Sequence, residues 1–413
     1  MPCPTGTFTA RWLVPVCQRP ICGGWLRVEQ GKVVALEASS PPGDCIDLGD
    51  VAVLPGLVNC HTHLEFSDLP SPLGEPGGAL PAWVATVVRH RLAQATDSPS
   101  VIAQRRASAI VAGCAESTAA GVRLLGEIAT LPWLEGDAAT AATAEELRII
   151  AFAETLGLRS ERANQTFQAA EDWIRQSMSR RSLGRNISFG YSPHAPYSTS
   201  LELVDRCVSQ ACRFRLPLAM HLAESREELQ LLDEGRGPFR EVLESLGAWQ
   251  ADAFPQPGGV GECLKRLARA PRCLVVHGNY LTDDQITFLA TQPQMSVIFC
   301  PRTHAFFQHD PYPLSRLLEA GVRVGLGTDS RASNPDLKLW EEVRHVLATV
   351  PAVTVESVLK MATLWGADAL GQSDCGRLAV GARPGLWTLP TSATDETELW
   401  QAIANATAPC PLG

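Results

Sequence analysis

Between Val51 and Asp329 the chain carries eight short apolar runs, separated by segments long enough for a helix and a loop. This rhythm constrains the fold more than any single motif. The runs are residues 51–58, 122–128, 147–153, 187–191, 216–220, 273–276, 295–299 and 322–326. Each is short, apolar and without alternation, as expected of a parallel strand covered on both faces. Amphipathic stretches at 164–178, 201–213, 226–246 and 282–291 intervene. Eight strand–helix units of this kind close into an α/β fold, the (β/α)8 or TIM barrel. A length of 413 residues suits one such barrel with something small appended.

The ends of the chain read differently. Residues 8–16, 24–28 and 32–36 are short β segments punctuated by Gly and Pro, and the β pattern returns at 376–389. The economical reading is a small β-sandwich-like domain built from both termini, residues 1–54 with 371–413, beside a barrel of residues 55–370. The Pro/Gly-rich stretch 70–81 and the Ala/Thr-rich stretch 136–144 are expected as loops over the barrel mouth.

Composition excludes several classes. A net charge of −9 and the lack of a dense Lys/Arg tract disfavour nucleic acid as a partner, because phosphate neutralisation needs basic patches. Arg180, Arg181, Arg213 and Arg215 are expected on solvated helix faces. No apolar stretch approaches the roughly 18 residues of a membrane span, and residues 1–7 lack a basic segment followed by an apolar one, so a cytoplasmic location is expected. Thirteen cysteines are an odd number and contain no C-x-x-C pair, which argues for buried thiols rather than disulfides or a zinc ribbon. Cys60, Cys273 and Cys300 fall in or beside strand runs. Alternation predicts that Cys60 faces away from its neighbour His61.

His61-Thr62-His63 closes the first run. Side chains at i and i+2 of a strand share a face, so both imidazoles can converge on one cation. The other ligands must come from elsewhere. In a barrel the chemistry lies at the carboxyl ends of the strands, and the residues there are Glu127, Glu154, His194, His221 with Glu224, His277, Arg302 with His304, and Asp329. Singly each could be an ordinary packed residue; together they describe a site.

Five segments carry a resemblance: residues 54–63 (Leu-Pro-Gly-Leu-Val-Asn-Cys-His-Thr-His), 192–198 (Ser-Pro-His-Ala-Pro-Tyr-Ser), 221–224 (His-Leu-Ala-Glu), 277–279 (His-Gly-Asn) and 325–330 (Gly-Leu-Gly-Thr-Asp-Ser). With them the chain resembles the amidohydrolase superfamily over nearly its whole length, in the branch of cytosine deaminase, S-adenosylhomocysteine deaminase and triazine chlorohydrolases. The resemblance implies one divalent metal ion held by His61, His63, His221 and Asp329. Imidazole and carboxylate suit Zn²⁺, with Fe²⁺ or Mn²⁺ as alternatives. An open coordination position would bring the pKa of bound water towards ~7 and make hydroxide the nucleophile. Glu224 is then the proton shuttle, His277 a hydrogen-bond donor to the attacking oxygen, and Asp329 a holder of the nucleophile besides its ligand role. The resemblance also disfavours a second metal, because binuclear relatives use a carboxylated lysine or a bridging glutamate near the fourth strand, and here the four lysines (Lys32, Lys265, Lys338 and Lys360) all lie away from strand ends.

His194 is expected to contact substrate. Glu154 is either a residue that orients ligands or substrate or a buried, paired carboxylate. Arg302 and His304 could grip an acidic substituent, since guanidinium geometry matches carboxylate, and Trp83, Phe306 and Phe307 could stack on a planar base. One departure from the family is that residues 381–386 lack the acidic residue usual in the closing β segment. It bears on the completeness of the small domain and not on the metal site.

The expected activity is deamination of a purine-type N-heterocycle. The segments around His61 and Arg302 are similar to those of aminodeoxyfutalosine deaminases, whose substrate joins adenine to a benzoate that Arg302 would hold. Alternatives are a triazine chlorohydrolase, a deaminase of S-adenosylhomocysteine, guanine or pterin, and a non-catalytic barrel scaffold. The last is disfavoured because the metal ligands, Glu224 and His277 are all retained. The partner is a small heterocyclic substrate, with a homodimer left open as the oligomeric state.

Overall fold

In the computed structural model, which describes residues 5–95, 97–134, 136–143, 147–180 and 186–412, the apolar runs become eight parallel strands. They are β1 (Leu57–Thr62), β2 (Val122–Ala129), β3 (Arg148–Thr155), β4 (Ile187–Pro193), β5 (Leu218–Leu222), β6 (Cys273–His277), β7 (Met295–Phe299) and β8 (Val324–Leu326). Each pairs with its sequence neighbour, so the strand order is the chain order. β8 meets β1 only at the top, where Thr62 and Asp329 form a parallel bridge and the Asp329 N–H donates to the His61 carbonyl at 3.0 Å. Below that point the helix Leu364–Leu370 packs against both strands. Its Ala367 and Leu370 join Val58, Cys60, Phe152, Leu274 and Ile298 in the barrel interior. The larger apolar cluster lies between the strands and the surrounding helices.

The run 51–58 is two strands. Val51–Pro55 lies in a five-stranded sheet, between Trp12–Leu13 and Leu386–Pro390, and β1 begins after Gly56. A β-carbon on Gly56 would sit 2.7 Å from the Pro384 carbonyl oxygen and 2.5 Å from Arg123 Cγ. Glycine therefore lets the chain pass from one sheet to the other. Cys410–Pro411 and Ile21–Cys22 complete this sheet, and a four-stranded sheet holds Lys32–Glu37, Trp25–Glu29, Gly6–Thr9 and Ile46–Asp47. The two sheets share a core of Phe8, Leu13, Leu26, Val28, Val53 and Leu386. Both termini thus supply the sheets, although the helix Glu396–Asn405 buries Leu399 and Ile403 in the main barrel core.

Several local expectations are corrected. Residues 136–142 form a short helix rather than a loop, and Ala144 lies outside the described residues. The stretch 70–81 is irregular only to Ala79. A helix starts at Leu80, helped by Pro81 in its first turn, and runs to Gln94. With the helix Pro99–Ala119 it inserts two helices where the barrel repeat needs one. The stretch 226–246 breaks into Arg226–Glu234 and Pro238–Ser245, because Gly235 and Gly237 take positive φ and Pro238 opens the second helix. Arg213 and Arg215 are exposed as expected, whereas Arg181, the Arg180 side chain and residues 1–4 lie outside the described residues. The described cysteines are all free thiols, with Cys60, Cys273 and Cys300 buried. Among the described residues no helix is long and apolar enough to cross a membrane.

Gly126 packs against the backbone of β1, and a β-carbon there would lie 2.3 Å from the Cys60 carbonyl oxygen. Gly126→Ala is expected to cost about 1–3 kcal/mol in chemical denaturation. Gly261, inside the helix Gly259–Leu267 with nothing within 4 Å of its added carbon, should gain roughly 0.5–1 kcal/mol as Ala.

Candidate active site

The alternation of β1 is broken near its end. A register shift between Asn59 and Thr62 puts a bulge opposite β2, which re-aims the residues after it. Cys60 therefore points into the barrel interior, with its sulfur against the sites of Gly325 and Gly366, while His61 reaches the cluster above. The parity expected between Cys60 and His61 does not apply. What keeps Cys60 away from the imidazoles is its depth.

At the strand ends the structure gathers His61, His63, His221, His277, Glu224 and Asp329. His61 Nε2 is 3.5 Å and His63 Nε2 3.7 Å from Asp329 Oδ1. His63 Nε2 faces His221 Nε2 at 3.2 Å, and His277 Nε2 stands 3.4 Å from Glu224 Oε1. Three turning points, Ala223, His277 and Asp329, hold positive φ of 54°, 68° and 58°. Backbone held in this region by a non-glycine residue is costly and concentrates at functional sites.

These donors fit a divalent cation. His221 Nδ1 lies 2.9 Å from the His194 carbonyl, which assigns the proton to Nδ1 and leaves a lone pair on Nε2. Burial, and then the neighbouring His61, push His63 and His221 down, which keeps both neutral as ligands must be, and burial lowers His277 as well. Burial alone would raise the Asp329 carboxyl, but the imidazoles of His61, His63 and His277 outweigh it and hold it below the usual carboxylate range. Both ring nitrogens of His61 and Nδ1 of His63 are buried without a hydrogen-bond partner, a cost that a cation would remove. Two groups have donor atoms within 4.8 Å of one another, His61 with His63 and Asp329, and His61 with His221 and His277. His61 is common to both.

Around this centre lies a shell of buried polar groups that the sequence did not single out for this task. Glu127, on β2, accepts the N–H of Leu64 at 3.0 Å and lies 2.8 Å from Thr62 Oγ1, so it grips the residues on either side of His63. Asn59 Oδ1 accepts the Thr328 N–H at 3.1 Å, and Ser333 Oγ donates to Asp329 Oδ2 at 2.9 Å. The Glu228 carboxylate accepts the N–H groups of Ala223 and Glu224 at 2.9 and 2.8 Å, and Asn279 Nδ2 donates to the Glu224 carbonyl at 2.8 Å. Burial pushes Glu228 up to about 7. Burial, the Asp329 charge and the Glu228 charge push Glu224 well above the ordinary carboxyl range.

A cavity of about 230 Å³ opens from the centre. Of the expected substrate contacts, His194, Glu154 and Trp83 line it. His194 Nδ1 is 2.6 Å from Ser198 Oγ, and burial pushes this imidazole down to about 3. Glu154 receives the Thr130 hydroxyl at 3.2 Å and is raised by burial. Arg302 and His304 do not line the cavity. Arg302 Nε donates to the fully buried Glu342 at 2.6 Å and its Nη2 to Asp336 at 2.7 Å. Asn334 then links Glu342 to the Thr328 carbonyl. Arg302 therefore braces the loop after β8 instead of gripping substrate. His304 Nε2 lies 2.9 Å from the Asp310 carbonyl, and Phe307 packs edge-on against Trp83. Arg91, which stands in no strand-end motif, also lines the cavity from the inserted helix. Its position seven residues after Val84 on a helical stripe was the available signal.

A (β/α)8 barrel that gathers neutral imidazoles and a carboxylate at the carboxyl ends of its strands is the architecture of a metal-dependent hydrolase. The chain belongs to the Amidohydrolase family, whose model matches residues 52–405. A 5-methylthioadenosine/S-adenosylhomocysteine deaminase of Nitratidesulfovibrio vulgaris is 30% identical over 400 residues, covering 92% of this chain and 82% of the relative. An adenosine deaminase of Xanthomonas campestris with bound zinc superposes at a TM-score of 0.74, with 23% identity over 99% of this chain and 90% of the other. The aminofutalosine deaminase of Helicobacter pylori superposes at 0.80, with 20% identity over 98% and 97%. At these identities the two structures speak for the fold.

Glu127→Ala removes the acceptor for Leu64 and Thr62. Affinity for Zn²⁺, measured by chelator competition, should fall roughly 10–100-fold, with Glu127→Gln intermediate. Unchanged affinity in the alanine variant would show that β1 holds its imidazoles without this clamp.

Proposed function

We propose that this protein is a zinc-dependent aminohydrolase that deaminates the adenine ring of a nucleoside. The observation that carries the reading is the placing of Glu224, buried and 3.4 Å from His277, beside the His61–His63–His221–Asp329 cluster on the floor of a mostly apolar cavity. The named activities of the relatives support the choice of an adenine nucleoside. We also propose a cytoplasmic setting, and that residues 1–54 with 371–413 act as a unit bracing the barrel of residues 55–370.

In this reading His61, His63, His221 and Asp329 hold one divalent ion, and imidazole with carboxylate favours Zn²⁺ over Fe²⁺ or Mn²⁺. When bound, it supplies a Lewis acid that makes water a nucleophile at neutral pH. Glu224 takes a proton from the attacking water on its carboxylate and returns it to the purine ring nitrogen next to the reacting carbon, and its raised proton affinity suits both halves of that exchange. His277 donates from Nε2 to the oxygen that attacks, in a site from which burial excludes bulk water. The remaining proton of the added hydroxyl then passes to the exocyclic amine, the carbon–amine bond breaks, and ammonia leaves a carbonyl on the ring. His194 and Glu154 orient the base and sugar.

Glu224→Gln keeps the shape and loses the proton carrier. Ammonia release from adenine nucleosides should fall by about 10²–10⁴-fold while the metal content stays stoichiometric; retained turnover would remove Glu224 from the mechanism. Removing metal with a chelator should abolish turnover, and added Zn²⁺ should restore it. Failure of both Zn²⁺ and Mn²⁺ to restore a folded protein would count against the metal assignment.

A further inference from the structure

The reacting end of the cavity is set by Glu224 and the histidine cluster, so the sugar end of a bound nucleoside must point towards the other wall. That wall is built by two helices that pack against each other, Leu80–Gln94 and Pro238–Ser245. Val84, Val87 and Val88 face the space from the first, and Val242, Leu243 and Leu246 from the second and the turn that ends it. Val84, Val87, Val88 and Arg91 follow the i, i+3, i+4, i+7 pattern of one helical stripe. An apolar stripe normally packs on a core, and here it borders open volume.

Charge points the same way. Arg91 is the one cation lining this cavity among the described residues, and its Nη2 is held by Glu65 at 2.5 Å. Glu65 also has Arg106 at 3.5 Å and receives the Thr130 hydroxyl at 2.8 Å, and Thr130 in turn reaches Glu154. Two arginines thus meet two carboxylates, with no excess positive charge for an anion. The Nε of Arg91 is buried out of contact with solvent, so it is not presented to the cavity as a further donor for an anion. At about 230 Å³ the cavity is below the roughly 300–1,000 Å³ usual for larger ligands, so what extends beyond the sugar is short.

We propose that the wall formed by Val84, Val87, Val88, Val242, Leu243 and Leu246 is a subsite for a short, uncharged, apolar 5′ substituent, and that it selects against adenine nucleosides whose 5′ tail ends in a carboxylate. The inference rests on the nucleoside reading of the site. It replaces the expectation of a carboxylate held by Arg302, whose guanidinium is committed to Glu342 and Asp336.

The test compares kcat/KM of the zinc-loaded protein for adenosine, 5′-methylthioadenosine, 5′-butylthioadenosine and 5′-(3-carboxypropylthio)adenosine. Calorimetric binding of the matching hypoxanthine products serves as a second readout. Each buried methylene should bring a gain of up to about fourfold, and the carboxylate should fall at least tenfold below its butyl counterpart in both measurements. Leu246→Arg, at the half-exposed rim, should reverse that preference at low salt. Equal or better use of the carboxylate by the unaltered protein, or indifference to the tail, overturns the subsite while leaving nucleoside deamination intact. Turnover of none of the four by the folded, zinc-loaded protein overturns the nucleoside reading, and the subsite with it.

Discussion

The bridge between the first and last strands is the contact on which the rest of the structure depends. Asp329 donates its N–H to the carbonyl of His61, and the two side chains meet 3.5 Å apart. The same contact closes the barrel and brings His61 and Asp329 together in the strand-end cluster. It is short, since β8 has only three residues and pairs with β1 nowhere lower. Its support comes from side chains: Asn59 on the Thr328 backbone, Ser333 on the Asp329 carboxylate, and the Arg302–Glu342–Asn334 chain behind them. A buried ion pair such as Arg302 with Glu342 contributes little net stability, yet removing one partner is costly. That asymmetry fixes the position of the loop that carries Asp329.

Burial governs the chemistry of the centre. The imidazoles of His63 and His221 are kept neutral by burial, while Asp329 is held below the usual carboxylate range chiefly by His61 beside it. Glu224 and Glu228 are pushed in the opposite direction, towards holding a proton. One small volume thus contains acceptors ready for a cation and a carboxyl ready to carry a proton. Such separation of proton affinities by environment allows acid and base steps to share a site near neutral pH.

The outer cavity has a different origin. Its walls come from the helix inserted between β1 and β2 and from the divided helical segment after β5, which lie outside the regular strand–helix repeat. Barrel enzymes keep the reacting groups on strand ends and vary the segments that follow them. Here those segments supply valines and leucines around a balanced cluster of arginine and glutamate. The outer wall of the cavity is thus built by parts of the chain that lie apart from the histidine–aspartate cluster.

How much of this could be read from the chain follows from the range of the interactions. Strand runs, their count and the residues just after them are local patterns, so the barrel, the histidine pair and the strand-end cluster of His221, Glu224, His277 and Asp329 were legible by spacing and resemblance. The break at Gly56 and the bulge at Asn59–Thr62 were not, because each is imposed by a neighbouring backbone rather than by the strand's own composition. Arg302 stood at a strand end like the others, and only its distance to Glu342, forty residues away, shows that its charge is already used. Arg91 stood in no strand-end motif and reaches the cavity because an inserted helix folds over the mouth. The sequence alone determined the barrel and which residues stand at its strand ends, since both follow from local pattern. Tertiary structure decided which charges are left over and what surrounds the substrate, since both depend on contacts between residues far apart in the chain.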